Sequence, residues 1–307
     1  MHTGYVSHAV CGTHEMGSWH PESPARLAAI QDHLIAVGLL HHLVHVDAPL
    51  AERTAIERAH APEYVDKLQS RIPKQGYAPV DPDTSMNPNT WTAALRSAGA
   101  VIEATDQVLR GELENAFCAV RPPGHHACRD RAMGFCFFNN VAIGALHALE
   151  VHGLQRVAVI DFDVHHGNGT EEILAGDPRV LMCSFFQHPF YPYAGADPLA
   201  ANMINVPLPA GSRGDKVREV VDQVWVPVLD EFKPQMIFIS AGFDAHREDD
   251  LGQMGLVEAD YAYMTRQLMA VADRHAGGRI VSTLEGGYNL SSLARSVAAH
   301  VKTLAQL

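Results

Sequence analysis

Five short runs rich in apolar and β-branched residues punctuate this chain: AFCAV (116–120), RVAVIDFD (156–163), RVLMCSFF (179–186), MIFISAGF (236–243) and RIVSTLEGG (279–287). Most are apolar at successive positions, not only at alternate ones, so both faces need cover. That is the pattern of buried parallel strands. Apolar residues recur at helical spacing in 21–40, 90–109, 139–153, 213–232 and 258–278, the last closing on Gly277 and Gly278 as a helix C-terminus does. Strand and helix alternate. The pattern predicts one α/β domain over 1–307, with a central, mostly parallel, doubly wound sheet, helices on both faces and right-handed crossovers. No Ser/Gly-rich tract, charge block or internal repeat divides it.

The same pattern sorts the polar residues. RPPGHHA follows the first run, DFDVHHG ends the second, FDAHRED ends the fourth and EGGYNL ends the fifth. In open parallel sheets ligands bind beyond the carboxyl ends of the strands, so these four clusters are expected to converge.

Asp163 and His165 stand two apart at a strand end, where both side chains leave on one face. Asp244 could add a third ligand, and three protein ligands with open coordination make a catalytic zinc site. D-x-H alone is weak evidence, and residues that merely cap a strand are the plainer alternative. His125 and His126 follow a rigid Pro-Pro-Gly turn, and one could act as general base toward a metal-bound water. Asp161 and Asn168 are available to hold the two tautomers. His166 is expected to be an ordinary core histidine. Tyr288 sits on a glycine-rich turn where its hydroxyl could donate to an oxyanion, although taken alone the motif is only a tight turn.

Composition narrows the partners. With 307 residues, 47% hydrophobic and 19% charged, the chain can bury a large core. Lys+Arg 23 against Asp+Glu 35 gives a net charge of −12, which repels phosphate backbones and anionic membranes. No direct nucleic acid or membrane partner is expected. A cationic or lysine-rich substrate would suit that field, as would a simple need for solubility. The five cysteines are odd in number, show no CxxC spacing and are expected as free thiols. The opening MHTGYVSHAV lacks the features of a signal peptide and no apolar run is long enough for a bilayer, so a cytoplasmic location is expected.

HPESPARL, RPPGHHA, GFCFFNN, DFDVHHGNGT, SAGFDAHREDDLGQM and LEGGYNL, in this order, resemble the zinc-dependent histone deacetylase family in its class II-like bacterial amidohydrolase form. The resemblance runs from TGYVSH to the C-terminal helix. It implies an arginase-like fold and hydrolysis of an N-acetyl amide on a lysine-like amine. It further implies Zn²⁺ on Asp163, His165 and Asp244, His126 as base and then acid, and His125 assisting through Asp161. Tyr288 would polarise the carbonyl. Gly134 and Phe135 on one side and Tyr191 on the other would line a substrate tunnel, Asp83 would hold the substrate backbone, and Arg26 would order an inner channel. A structural K⁺ is implied near Asp161 and Ser184. An Asp/His/Asp site also accepts Fe²⁺, and availability then decides.

One position bears on the substrate. Relatives that prefer acetylated polyamines place a glutamate seven residues beyond the third zinc ligand, where this chain has Leu251. That favours an acylated lysine peptide or small acylated amine over a polyamine. The alternatives are an acetylpolyamine amidohydrolase, a binuclear-manganese ureohydrolase and a non-catalytic acyl-lysine binder. The ureohydrolase needs a closely spaced Asp pair that FDAHRED lacks, and a binder would not need every proposed catalytic residue. Nothing in the chain indicates oligomeric state.

Overall fold

The computed structural model describes residues 2–307. Its strands are β1 (Thr3–Ser7), β2 (Val44–Asp47), β3 (Ala78–Asp81), β4 (Thr84–Met86), β5 (Asn115–Cys118), β6 (Val157–Asp161), β7 (Val180–Gln187), β8 (Met203–Leu208), β9 (Met236–Ala241) and β10 (Ile280–Leu284). Eight of them form one sheet in the order β2-β1-β5-β10-β9-β6-β7-β8, while β3 and β4 make a separate hairpin. Every pairing in the large sheet is parallel. The five apolar runs are β5, β6, β7, β9 and β10, which form its contiguous centre.

Alternation along the strands splits the interior in two. Val157 and Val159 of β6 enter one core, and Ala158 and Ile160 enter the other. Helices Ala25–Ala36, Glu258–His275 and Leu290–Leu304 cover one face through Ile30, Leu34, Met264, Leu268, Val297 and Val301. Helices Thr90–Arg110 and Asn140–Glu150 cover the other through Val101, Ala104, Val141 and Ala145. Each large side chain fully buried this way contributes about 1.5–3 kcal/mol, which is why the apolar pattern decides the fold.

The three remaining strands of the sheet escape the apolar pattern for physical reasons. β2 and β8 are its edges, so neither needs two apolar faces: β2 is largely exposed, and β8 carries Pro207, which an edge tolerates. β1 is short and contains Gly4. The segment expected as one helix over 213–232 is continuous but widens into a π-turn at Val221–Trp225 beside Pro227, whose missing N–H interrupts the regular ladder. Helices Arg53–Ala59 and Pro62–Ser70, too short to show a clear period, pack with Phe137 and Phe138 in a third cluster. All five cysteines are free and buried.

Candidate active site

The loops leaving β5, β6, β9 and β10 meet at the carboxyl end of the sheet. There the donor atoms of Asp163, His165 and Asp244 lie within 4.8 Å of one another. Asp163 Oδ1 accepts the His165 backbone N–H at 2.9 Å and sits 3.0 Å from His165 Nδ1. Its Oδ2 accepts the Gly286 N–H at 2.9 Å. Asp244 Oδ1 accepts the Val164 N–H at 3.0 Å, while Oδ2 lies 3.2 Å from His165 Nδ1 without hydrogen-bond alignment. A buried carboxylate oxygen with no donor marks a place where positive charge belongs. Gly286 is required beside it, because a Cβ there would stand 2.0 Å from Asp244 Oδ2 and 2.6 Å from Asp163 Oδ2.

The electrostatics agree with that geometry. Burial, and then the Asp163 charge, pushes the Asp244 carboxyl up to about 7. Burial opposes a charge on His165, yet Asp163 and Asp244 overcome it and raise its pKa to about 10. The cluster gathers a proton where a cation would satisfy both carboxylates. Two carboxylates and an imidazole, nearly enclosed, fit a divalent ion of borderline softness.

The histidine pair lies alongside. His125 Nδ1 donates to Asp161 Oδ2 at 2.9 Å, and its Nε2 is 3.8 Å from Asp163 Oδ2. Burial works against its charge, but Asp161, Asp163 and Glu285 hold its pKa well above the usual imidazole value. His126 differs. Burial, reinforced by His125 and His165, keeps its pKa well below that value. Its Nδ1 is 2.8 Å from Asn168 Oδ1, an oxygen that can only accept. The Asn168 amide nitrogen faces the sulfurs of Cys128 and Met133, which supports that orientation. His126 Nδ1 therefore carries the proton and Nε2 keeps its lone pair.

A cavity of about 230 Å³ opens onto these groups, lined by Asp83, His126, Gly134, Phe135, His165, Phe190, Tyr191, Asp250, Leu251 and Tyr288. Gly134 takes φ 55° against the His126 ring, where a Cβ would lie 2.4 Å from the ring carbon. Phe135 follows at φ 69°, a strained setting for an aromatic residue that turns it toward Tyr288, 5.8 Å away edge to face. Phe190 stacks on His165 at 5.5 Å, and Tyr191 meets His126 edge-on at 5.3 Å. Thr84 ties the hairpin to this wall by accepting the Phe135 N–H and donating to Asp83.

Beneath the cavity, Arg26 is buried, with its guanidinium 4.9 Å from the Tyr288 ring. It donates to the carbonyls of Gly287 and Glu285 and to Glu22, which also pairs with Arg121. Burial raises the Tyr288 pKa well above its usual value; Arg26 opposes this, and the phenol stays protonated. Ser184 lies level with Asp161 on the neighbouring strand and bonds to Asn205 at 3.2 Å. His166 is buried against Glu171 at 2.6 Å, with Nδ1 unpaired, and Phe137 and Phe138 are core.

A match to the model of the histone deacetylase domain covers residues 20–304. The chain belongs to the histone deacetylase family. It is 39% identical over 298 residues to a probable deacetylase of Archaeoglobus fulgidus, covering 94% of this chain and 82% of that one. It is 38% identical over 277 residues to the histone deacetylase-like amidohydrolase of Pseudomonas aeruginosa, covering 88% and 73%. The crystal structure of the HDA15 HD domain superposes with a TM-score of 0.93 at 34% identity, over 100% of this chain and 90% of that one. The deacetylase fold and membership of a deacetylase and amidohydrolase family follow from these matches. Among the described residues, no helix is long and apolar enough to cross a membrane.

Several residues of this deacetylase-family site, among them Glu285, Asp249 and Phe190, were not expected from the sequence. Glu285 accepts the N–H groups of Gly124 and His125 and the Ser240 hydroxyl, so it joins three strand ends. Asp249 accepts from Tyr288 and Asn289 with one oxygen and from Leu251 with the other, which holds the tyrosine turn to the rim. Phe190 stands one residue before the expected Tyr191. Glu285 and Asp249 lie inside motifs already singled out, but backbone acceptors leave no mark in residue spacing.

Proposed function

We propose that this chain hydrolyses acyl groups from N-acyl-lysine side chains or similarly slim acylated amines, using Zn²⁺ held by Asp163, His165 and Asp244. The observation that carries the reading is the buried, unpaired Asp244 oxygen 3.2 Å from His165, which lines the same aromatic-walled cavity as a neutral His126. A divalent cation bound there would supply Lewis acidity and a water acidic enough to react near neutral pH.

The chain's own groups divide the rest of the work. His126 Nε2, held as an acceptor by Asn168, takes the proton of the attacking water and later delivers it to the departing amine. His125, fixed by Asp161, keeps positive charge beside the developing oxyanion. Tyr288, protonated and set on Arg26, donates to the carbonyl oxygen as it gains charge. Phe135, Phe190 and Tyr191 admit a narrow aliphatic chain and exclude bulk water. A K⁺ beside Asp161 and Ser184, taking oxygen ligands, would join the end of β6 to the neighbouring β7.

Leu251 at the rim offers no attraction to a second amine. A second reading rests on Asp83 and the exposed Asp250, carboxylates that share the same cavity and suit a polyamine. The deciding experiment is kcat/KM over acetyl-lysine peptides, longer acyl-lysines and acetylated polyamines, with metal content measured on the same samples as purified. A clear preference for the peptide with one zinc per active chain supports the first reading; a clear preference for the polyamine establishes the second. Binding without turnover across the whole panel would make the chain a binder.

A further inference from the structure

A second group of donors lies at the other end of the sheet. Asp106 sits near the end of helix Thr90–Arg110, which leads into β5; His147 and His152 sit at and just beyond the end of helix Asn140–Glu150, which leads into β6. In a parallel sheet those helix ends lie at the amino ends of the strands, remote from the cavity. We propose that Asp106, His147 and His152 form a peripheral binding site for a borderline divalent cation such as Zn²⁺, distinct from the catalytic cluster.

Both imidazoles aim Nε2 at one carboxylate oxygen: His147 lies 2.7 Å and His152 2.6 Å from Asp106 Oδ1. Two independent histidine–carboxylate pairs would be free to use one oxygen each. Here the three donors instead converge within 4.8 Å, and the rings meet edge to face at 5.3 Å. His147 is buried, which limits its alternatives, whereas Asp106 and His152 are partly exposed and leave room for water to complete a tetrahedron. The ends of both helices present carbonyl dipoles that favour a cation. Two positive groups are close. Arg110 is engaged by Glu112 and Glu103. Arg58 approaches the opposite nitrogen of His147 at 3.5 Å and weakens the site without occupying it. A cation here would pin two helices of one layer together.

The test is a Zn²⁺ titration of the untagged, metal-stripped chain by equilibrium dialysis. It compares wild type, His152→Ala, Asp106→Asn and the double substitution Asp163→Asn/Asp244→Asn. His152 is partly exposed, so its loss leaves the fold intact, and circular dichroism checks this. The expected result is two equivalents for wild type and one for each peripheral variant. The double variant should keep one equivalent, with a Zn²⁺-dependent rise in Tm that is lost when His152→Ala is added to it. Full retention of wild-type stoichiometry in both peripheral variants, or no zinc in the double variant, would overturn the proposal. A single equivalent in wild type that survives in the double variant and vanishes in His152→Ala would uphold it while removing the catalytic zinc reading.

Discussion

The chain holds two histidine–carboxylate clusters built from nearly the same parts, and they differ in what surrounds them. Asp163, His165 and Asp244 stand on loops at strand ends, nearly enclosed, with Glu285, Asp161 and His125 close by. Asp106, His147 and His152 stand on helix ends beside solvent. In the first, burial pushes Asp244 up to about 7. In the second, burial also favours the neutral acid, but hydrogen bonds from the two histidines prevail and Asp106 stays below its usual range. The donor set therefore describes affinity for a cation, while the setting decides chemistry. Only the first cluster faces a neutral imidazole, a protonated phenol and a cavity.

Removing the neutral imidazole breaks that contrast most completely. His126→Ala is expected to lower kcat by about 10²–10⁴, the usual contribution of general acid–base catalysis. Bound metal should stay at the wild-type level, since His126 bonds to Asn168 and not to the proposed ligands. Unchanged turnover in a steady-state assay with a purified acyl-lysine peptide would remove His126 from the mechanism.

A smaller effect comes from touching the setting while leaving each ligand in place. Gly286→Ala puts a methyl group 2.0 Å from Asp244 Oδ2 and must displace that carboxylate. Metal affinity at the catalytic cluster is expected to fall by about 10–100-fold, as when a group that orients a ligand is lost. The peripheral cluster should be unaffected. Competition with a chromophoric chelator reads the two affinities separately, and equal loss at both would point to general unfolding instead.

How far the sequence foretells these settings differs between the clusters. The central strands are legible because buried parallel strands need apolar residues on both faces, and the convergence of their ends follows from sheet geometry. Asp163, His165 and Asp244 were therefore readable as a set, and His125 and His126 as a pair near them. Asp249 and Glu285 were not, because they act by accepting backbone N–H groups that carry no residue identity. Edge strand β2 was hidden by its exposure, and edge strand β8 by its half-buried positions and Pro207. The peripheral cluster is hidden for another reason: Asp106 and His147 belong to different helices, and only packing of one helix on the other brings them together.

The smallest effect concerns Asp106 in metal-free buffer, where the cluster is only a set of hydrogen bonds. A carboxyl whose folded pKa is depressed contributes stability above its unfolded pKa, near 4, and loses it as pH falls through the folded value. Asp106 is partly exposed and solvent screens the interaction, so its contribution at pH 7 is about 1 kcal/mol or less. Asp106→Asn should lower stability by that amount at pH 7, and the difference from wild type should shrink toward zero below pH 4. Urea unfolding at pH 3, 5 and 7 with chelator present measures it. A difference that persists at pH 3 would show that Asp106 acts through packing and not through its charge. Zinc added at pH 7 should then widen the gap between wild type and variant, because only wild type keeps the full donor set.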